Sequence, residues 1–235
     1  MKKLVILGAG NAFWEISELI KDINKIKPQF KIIAVLDDNV ELINKKLDQF
    51  EVKGSIDKAK EFPPDVQFIF AIGSYKTRLI RKTILDRLKL PENRFETLIH
   101  PSAKVFSNAK ISSGCIVHYG SIIFNHSIVD SFTTISANCV IGVGNIIGKG
   151  ALLGSNITTT TGVKIGSFSF VGSSCSIAEG KVIGPGAYVG MGSTVFKDIP
   201  PGFFVLGNPI KVLDKTEVPQ KIKVDWEDYI QNILK

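Results

Sequence analysis

The chain has 235 residues, of which 44% are hydrophobic, and it carries a formal net charge of +7 at neutral pH. This length fits two modest domains with sizeable cores, and no apolar run approaches the roughly 18 to 20 residues of a membrane span. Because the N-terminus shows no signal-peptide cleavage site, we expect a cytoplasmic protein. The positive charge alone does not choose between nucleic acid, an acidic membrane surface and small polyanions such as nucleotides and coenzyme A. The basic segments lack interleaved aromatic residues, however, so we expect solvated helix faces and no nucleic acid binding.

The first hundred residues alternate apolar runs with amphipathic segments. Apolar runs lie at 4–8, 31–37 and 66–73, helical spacing occurs at 11–26, and a basic amphipathic helix is predicted at 75–90. Alternating strands and helices indicate a parallel α/β fold. We therefore predict a Rossmann-like domain over residues 1–100.

Small and acidic residues follow the predicted strands, where α/β domains bind ligands. They are Gly8, Gly10, Asn11, Asp37, Asp38, Gly73 and Ser74. A dinucleotide fingerprint would require a third glycine at position 13, which is Phe13, so NAD is disfavoured. We predict that these residues bind the substrate. The alternative is that they only form turns, and for Asp38-Asn39 alone we favour that alternative.

From residue 103 onward an aliphatic residue recurs every six positions. The repeat comprises Val105, Ile111, Val117, Ile123, Val129, Ile135, Ile141, Ile147, Leu153, Ile165, Val171, Ile177, Ile183, Val189 and Val195, and Thr159 is the one position of the sixteen that is not aliphatic. A small residue precedes most of these by two positions, and glycine often follows directly, as at Gly142, Gly148 and Gly154. This period is typical of a solenoid whose interior holds the aliphatic side chains, and we expect the following glycines to take strained corner geometry.

Three hexads would complete one coil, so residues 18 apart stack at about 4.8 Å. Charged residues are sparse between 103 and 195, and we expect other copies of the chain to cover the flat faces. The alternative is a monomer with polar faces.

The three cysteines occupy the small inward slot of the repeat. Cys139 and Cys175 lie two coils apart, about 9 to 10 Å, which is too far for a disulfide. Together with Cys115 they are predicted packing residues, because their spacing does not suit zinc and no metal site is expected. Reduced thiols agree with a cytosolic protein.

Several motifs surround the hexads in a characteristic order. These are the GAG turn at 8–10, AVLDDN, FAIGS, LIHPSA at 98–103 and KDIPPGFFVLGNPIKV at 197–212. In this order, over about residues 1–213, the chain resembles the bacterial sugar acetyltransferases of the sialic-acid O-acetyltransferase type. That family includes the N-acetyltransferases of bacillosamine and perosamine synthesis.

The resemblance implies a left-handed parallel β-helix over 101–213 that forms homotrimers and binds acetyl-CoA between neighbouring prisms. It further implies that the N-terminal domain holds a nucleotide-linked sugar near Asp37 and Asp38, and that a histidine base assists direct acetyl transfer. In the family this base lies in a Glu-His-Asp triplet. That triplet aligns here with Gly142, Val143 and Gly144, so the expected base is absent.

Only three histidines can replace that base. His126 precedes Gly144 by one coil and is our first candidate, and His118, at another corner, is the second. His100 lies in LIHPSA at the domain junction. Two alternatives stay open: a corner histidine that only binds a backbone carbonyl, and transfer without a protein base to the free amine of an amino sugar.

The coenzyme side is predicted from small residues on the later coils. Gly172, Ser173, Gly190, Met191 and Gly192 would form a wall for pantetheine, with Lys197 and Lys211 at the phosphates. For either lysine, plain surface decoration is the alternative.

The segment 214–235 is predicted to be an amphipathic helix that packs on the trimer or on a neighbour's nucleotide domain, with membrane docking as the alternative. We thus predict an acetyl-CoA-dependent acetyltransferase of nucleotide-linked amino sugars in surface-glycan precursor synthesis. The alternatives are O-acetylation of sialic-acid-like sugars and a non-catalytic trimeric scaffold that binds nucleotide sugars. The sequence does not specify the sugar, the nucleotide or the acyl group.

Overall fold

The computed structural model describes residues 1–74 and 78–213. Its N-terminal elements are β1 (Lys2–Leu7), α1 (Asn11–Ile26), β2 (Phe30–Leu36), β3 (Lys46–Leu47), β4 (Phe50–Glu51), β5 (Val66–Phe70) and α2 (Arg78–Leu88). Short 3-10 helices lie at Val40–Leu42, Ile56–Glu61 and Glu92–Arg94. None of the helices in these ranges has the length and apolar character that crossing a membrane requires.

A three-stranded parallel sheet in the order β2-β1-β5 is covered on both faces. The apolar stripe of α1, which includes Phe13, Ile16 and Ile20, packs on one face, and Ile84 and Leu88 of α2 pack on the other. The central strand is apolar on both sides because both sides are buried. The predicted Rossmann-like α/β fold is confirmed.

Two- and three-residue strands then wind into a parallel β-helix. In chain order they are β6 (Leu98–Ile99), β7 (Lys104–Val105), β8 (Lys110–Ile111), β9 (Ile116–Val117), β10 (Ile122–Ile123), β11 (Ile128–Val129), β12 (Thr134–Ile135), β13 (Val140–Ile141), β14 (Ile146–Ile147), β15 (Leu152–Leu153), β16 (Thr158–Thr159), β17 (Lys164–Ile165), β18 (Phe170–Val171), β19 (Ser176–Ile177), β20 (Val182–Ile183), β21 (Tyr188–Val189), β22 (Thr194–Val195), β23 (Phe204–Leu206) and β24 (Lys211–Val212).

These strands form the three faces of a prism. Face 1 contains β7, β10, β13, β16, β19 and β22, and face 2 contains β8, β11, β14, β17 and β20. Face 3 contains β6, β9, β12, β15, β18, β21 and β23, and β24 adds to it antiparallel to β23. Every coil visits face 1, face 2 and face 3 in turn, and Ile122 pairs with Val140 exactly as the 18-residue coil requires. The hexads therefore predicted the solenoid and its register correctly.

Apart from the small residues two positions before each aliphatic residue, the prism interior is aliphatic except at one place. Thr159 interrupts the aliphatic column, and its hydroxyl accepts a hydrogen bond from Nδ2 of the fully buried Asn145. Oδ1 of Asn145 in turn accepts the backbone N–H of Val163 at 2.7 Å. Because each polar group has a partner, the exception is a paired buried hydrogen-bond network and not a packing defect.

The role expected for the glycines after each aliphatic residue is wrong. At Gly142 a Cβ would lie 2.3 Å from the carbonyl oxygen of Thr160, and at Gly184 it would lie 2.3 Å from the nitrogen of Pro201. These glycines are needed because successive coils approach closely. The left-handed backbone falls two residues later, as at Gly144 with φ of +69°.

All three cysteines are buried, free thiols inside the prism, as predicted. Burial raises the pKa of the Cys115 thiol to about 12 and that of Cys139 to about 11. Such thiols stay protonated at neutral pH and act as small apolar packing groups.

The two regions share their cores. Strand β6 pairs with β9 on face 3, Ile116 packs in the core on the α1 side, and Phe132 packs in the core on the α2 side. The rings of Phe95 and Phe132 lie 4.8 Å apart, and Lys149 forms an ion pair with Glu92 at 2.5 Å. The sheet is thereby held in a fixed relation to the first coils. The boundary between 100 and 101 stays a prediction, and the predicted helix at 214–235 lies outside the described residues.

Candidate active site

The carboxyl edge of the sheet brings the turns after β1, β2 and β5 together. Gly8 has φ of +115°, and a Cβ there would lie 2.9 Å from the carbonyl oxygen of Ala71, so only glycine fits. The backbone N–H of Ala9 donates to Oδ2 of Asp37 at 2.6 Å. The three turns therefore form one continuous edge, as the sequence predicted.

Both acidic residues at this edge have protein partners. Asp37 accepts the N–H of Ala9 and, through Oδ1, the N–H of Asn39 at 2.8 Å. Asp38 accepts the N–H of Ile56 at 3.0 Å and pairs with Nη2 of Arg87 at 2.6 Å. Each carboxylate thus fixes the local backbone, and contact of either one with a nucleotide stays a prediction.

The remaining predicted residues of this edge are exposed. Gly10 and Asn11 begin α1, and a Cβ added at Gly10 would meet no atom within 4 Å. Gly10 has no side chain that could cap the helix, and in the first turn the N–H of Phe13 donates to the carbonyl of Gly10 at 3.0 Å. Gly73 and Ser74 are exposed at the end of β5. Free N–H groups at a helix start suit phosphate oxygens.

Arg81 lies beneath this edge, and sequence reasoning missed it. Its side chain is only 1% exposed, although the basic residues of 75–90 were expected to be solvated. It donates from Nη1 to the carbonyl oxygen of Ile72 and from Nη2 to that of Phe132, and its guanidinium lies 5.0 Å from the Phe70 ring centroid. Burial lowers the pKa of Arg81 to about 9, so it remains charged at neutral pH. Its helical spacing from Ile84 could have revealed the buried position.

His126 lies at the corner between face 1 and face 2. It has φ of +63°, and its imidazole is exposed. Stacked above it are Gly144, Gly162 and Gly180, and a Cβ on Gly144 or Gly180 would meet no atom within 4 Å. A strip without side chains therefore runs along the corner from His126 towards the later coils.

No hydrogen bond to the His126 imidazole occurs in the part of the chain that the structure describes. No described backbone carbonyl therefore holds the imidazole, and the choice between a base and a structural corner histidine stays a prediction. Asp130, the nearest carboxylate along the chain, instead accepts the N–H of Ser131 at 2.6 Å. An imidazole that is exposed and unpaired can accept a proton from a bound substrate.

The neighbours of His126 give this corner a mixed apolar and polar surface. The rings of Phe106 and Phe124 stack at 4.9 Å, and Oδ1 of Asn125 is buried without a partner. The N–H of Gly144 donates to the backbone carbonyl of Asn125 at 3.0 Å, which places Val143 directly above Asn125. As predicted from the alignment of the triplet, positions 142–144 offer no titratable side chain.

His118 lies at a different corner, between face 3 and face 1. It is 8% exposed, and burial together with the neighbouring His100 lowers its pKa to about 4. A base with so low a pKa accepts a proton poorly at neutral pH. Geometry and electrostatics therefore favour His126 over His118.

The residues predicted to bind the coenzyme do not all lie at the same corner of the prism. Gly172 and Ser173 lie three coils above His118, and Gly190, Met191 and Gly192 lie one coil higher at the same corner. These glycines bring the coils close together, since a Cβ on Gly172 would lie 2.6 Å from the nitrogen of Met191.

The two lysines lie elsewhere. Lys197 is exposed at the corner of His126, four coils above Asn125, and Lys211 is exposed on β24 opposite Leu206. Within one chain, His126 and the predicted pantetheine wall are therefore on different corners of the prism and form no single site.

Comparison with known proteins agrees with this architecture. Residues 3–88 match the PglD N-terminal domain. A UDP-N-acetylbacillosamine N-acetyltransferase of Bacillus subtilis (strain 168) is 29% identical over 106 residues, which cover 45% of this chain and 46% of that protein. The match thus spans about half the length of this curated relative.

Solved structures share the fold over most of the chain. PerB from Caulobacter crescentus, in complex with CoA and GDP-perosamine, has a TM-score of 0.78 and 21% identity, covering 90% of this chain and 97% of its own. The acetyltransferase domain of PglB from Neisseria gonorrhoeae FA1090, in complex with acetyl coenzyme A, has a TM-score of 0.78 and 22% identity, with 90% and 99% covered. The predicted resemblance is confirmed in the N-terminal domain and in the fold.

Proposed function

We propose that the protein is an acetyl-CoA-dependent acetyltransferase that acts on the amino group of a nucleotide-linked sugar, in surface-glycan precursor synthesis. The observation that carries this proposal is a PglD-type N-terminal domain with an open carboxyl edge, fused through a shared core to a β-helix with an exposed imidazole. The relatives named above, an N-acetyltransferase and a complex with CoA and GDP-perosamine, support the same reaction. We place the reaction in the cytoplasm, where acetyl-CoA is made.

In this reaction the amine nitrogen attacks the thioester carbonyl, the C–S bond breaks, and CoA leaves as the thiol. His126 accepts the proton that the nitrogen loses as it becomes an amide, and the departing sulfur takes up a proton in turn. Histidine is the side chain that most often serves as the general base in such transfers. The glycine strip above His126 leaves room for an extended chain such as pantetheine.

We further propose that the active form is a homotrimer. Ile128 and Ile146, on face 2, are 41% and 42% exposed. Ile128 follows His126 by two residues, and Ile146 pairs with Ile128 on the next coil. Burial of such neighbouring apolar residues favours association. A neighbouring copy would bring its own corner of Gly172, Ser173 and Gly190 to His126, which the single chain does not do.

The proposal is tested by measuring thiol release from acetyl-CoA with a panel of UDP- and GDP-linked 3-amino and 4-amino sugars and free sialic acids. Turnover with an amino sugar and formation of an amide are expected. Turnover only with hydroxyl acceptors would replace the proposal by O-acetylation. No turnover, together with undetectable CoA binding, would refute it.

A second candidate is a non-catalytic trimer that binds nucleotide sugars. The observation that favours it is the absence of a titratable side chain at Gly142, Val143 and Gly144, where the family has its base. Binding of nucleotide sugar without any binding of CoA supports this candidate, whereas coenzyme A bound between prisms contradicts it.

A further inference from the structure

Arg81 is a buried cation without an anionic partner among the described residues. None of the ion pairs in residues 1–74 and 78–213 includes it, and its Nε has no hydrogen-bond partner. Its two Nη groups are bound to neutral carbonyl oxygens, which leave the net charge in place. A buried charge of this kind is costly, so an unpaired one calls for an explanation.

The position of this charge relative to the sheet edge is specific. A Cβ built on Gly73 would lie 3.5 Å from Nη1 of Arg81, and Gly73 itself is exposed. The guanidinium therefore lies directly beneath the surface turn that follows β5. Through the carbonyl of Ile72 it also fixes the last residue before that turn.

The other charges at this edge leave a role for a cation. Asp38 is neutralised by Arg87 at 2.6 Å. Asp37 has only backbone N–H partners, so its negative charge would repel a phosphate group. Because Arg81 is buried, salt screens its charge poorly, and its field opposes that repulsion.

We propose that Arg81 is a positioning residue for the nucleotide diphosphate, which it attracts by its charge from beneath the Gly73 turn without touching it. This inference rests on the proposed function. The competing explanation is purely structural: Arg81 only ties α2 to the β-helix through the carbonyl of Phe132. The two explanations differ in their dependence on ligand charge.

Two variants separate charge from geometry. Arg81→Gln removes the charge and keeps an N–H donor, whereas Arg81→Lys keeps the charge and loses the forked geometry. Arg94 provides a matched control at the opposite end of β5. It donates to the carbonyls of Val66 and Pro63 at 3.1 and 3.0 Å, and it lies 5.0 Å from the Phe68 ring centroid.

The dissociation constants of UMP, UDP, GMP and GDP are measured by calorimetry for the full chain and its Arg81→Gln, Arg81→Lys and Arg94→Gln variants. For the base that the wild type binds, Arg81→Gln is expected to lower the preference for diphosphate over monophosphate by about tenfold. Arg81→Lys and Arg94→Gln are expected to keep the wild-type preference. The KM for acetyl-CoA stays unchanged in all variants.

Equal weakening of monophosphate and diphosphate in Arg81→Gln would overturn the inference, because a packing role affects both alike. Should that variant not fold, Arg81→Lys decides: dissociation constants close to the wild-type values for both phosphates support the charge, whereas equal weakening of both contradicts it, because only the forked contact with the two carbonyls has then been lost. A wild type that binds nucleotide but shows no dependence on Arg81 refutes this inference alone. A wild type that binds none of the four nucleotides refutes the proposed function as well.

Discussion

His126 allows catalysis and stability to be separated by one substitution. Its φ of +63° lies in the left-handed region, where the equivalent residues of the next three coils are Gly144, Gly162 and Gly180. For a residue with a Cβ, that backbone conformation raises the free energy of the folded state by roughly 1 kcal/mol, whereas for glycine it does not. Because the imidazole is exposed and makes no hydrogen bond with the described residues, His126→Gly removes no native contact of that kind.

We therefore expect His126→Gly to leave the free energy of unfolding unchanged or to raise it by up to about 1 kcal/mol. Acetyl transfer should nevertheless fall by roughly a hundredfold to ten-thousandfold, the usual contribution of a general base. This corresponds to about 3 to 5 kcal/mol of activation free energy. Stability is measured by urea unfolding, and kcat and KM by thiol release across a range of pH.

Asn156→Gly is the matched control. Asn156 has φ of +59° at the corner between face 3 and face 1, and it is exposed. This substitution should relax the backbone in the same way and leave kcat unchanged. An unaltered kcat in His126→Gly would refute the assignment of the base and favour transfer to a free amine by positioning alone. A large loss of stability would show instead that the imidazole is structural.

Three further predictions concern stability, each measured by chemical unfolding. Burial holds the pKa of His118 at about 4, below its ordinary 6.5, so the unfolded chain binds more protons between these values. Stability is thus fully present above pH 6.5 and is lost as pH falls towards 4, by up to about 3 kcal/mol, and His118→Gln should remove this slope. A slope that persists in the variant contradicts the buried neutral imidazole. Thr159→Val should cost about 1 to 3 kcal/mol because it leaves the buried Asn145 amide without its acceptor, and Thr159→Val with Asn145→Ala should recover part of the loss. A single-variant cost below about 0.5 kcal/mol would show that the pair contributes little. Gly142→Ala should destabilise more than Gly144→Ala, since a Cβ at 142 would meet the next coil at 2.3 Å whereas the Cβ at 144 meets open space. Equal costs would show that the coils can separate.

The sequence predicted the β-helix well because its signal is repeated many times. Each aliphatic residue alone is ambiguous, but a six-residue period without a slip fixes the fold, the inward face and the pairing partner together. Even the exception, Thr159, is explained once its register with Asn145 is known. The strands and helices of the N-terminal domain were predicted for a similar reason, since β1, β2 and β5 are continuous apolar runs.

Features that depend on contact between distant segments could not be predicted in this way. The reason for Gly142 is the carbonyl of the coil above it, and composition does not distinguish such a steric need from a positive φ. Arg81 was expected to be solvated because arginine is usually exposed. Its burial depends on Ile72 and Phe132, which are far apart in sequence and meet only because the two regions share a core.

The candidate site was predicted in its parts and not in its arrangement. The edge formed by Gly8, Asp37 and Gly73 is present because parallel strands end together. By contrast, His126 and the wall at Gly172 are on separate corners, and the hexad phase alone already determines that separation. In the proposed trimer, assembly would decide which corners meet, and the periodicity of a single chain does not describe it.

The stacked coils also fix the distance between residues along the prism. Asn125, beside His126, and Lys197 occupy the same corner four coils apart. Because each coil adds about 4.8 Å along the prism, these two residues are separated by about 19 Å. Inserting 18 residues would add one coil to this distance and leave every later residue on its own face. Inserting six would turn Lys197 to another corner while preserving every hexad. Only changes in whole coils can therefore adjust the separation of Asn125 and Lys197 without rotating one end of the prism against the other.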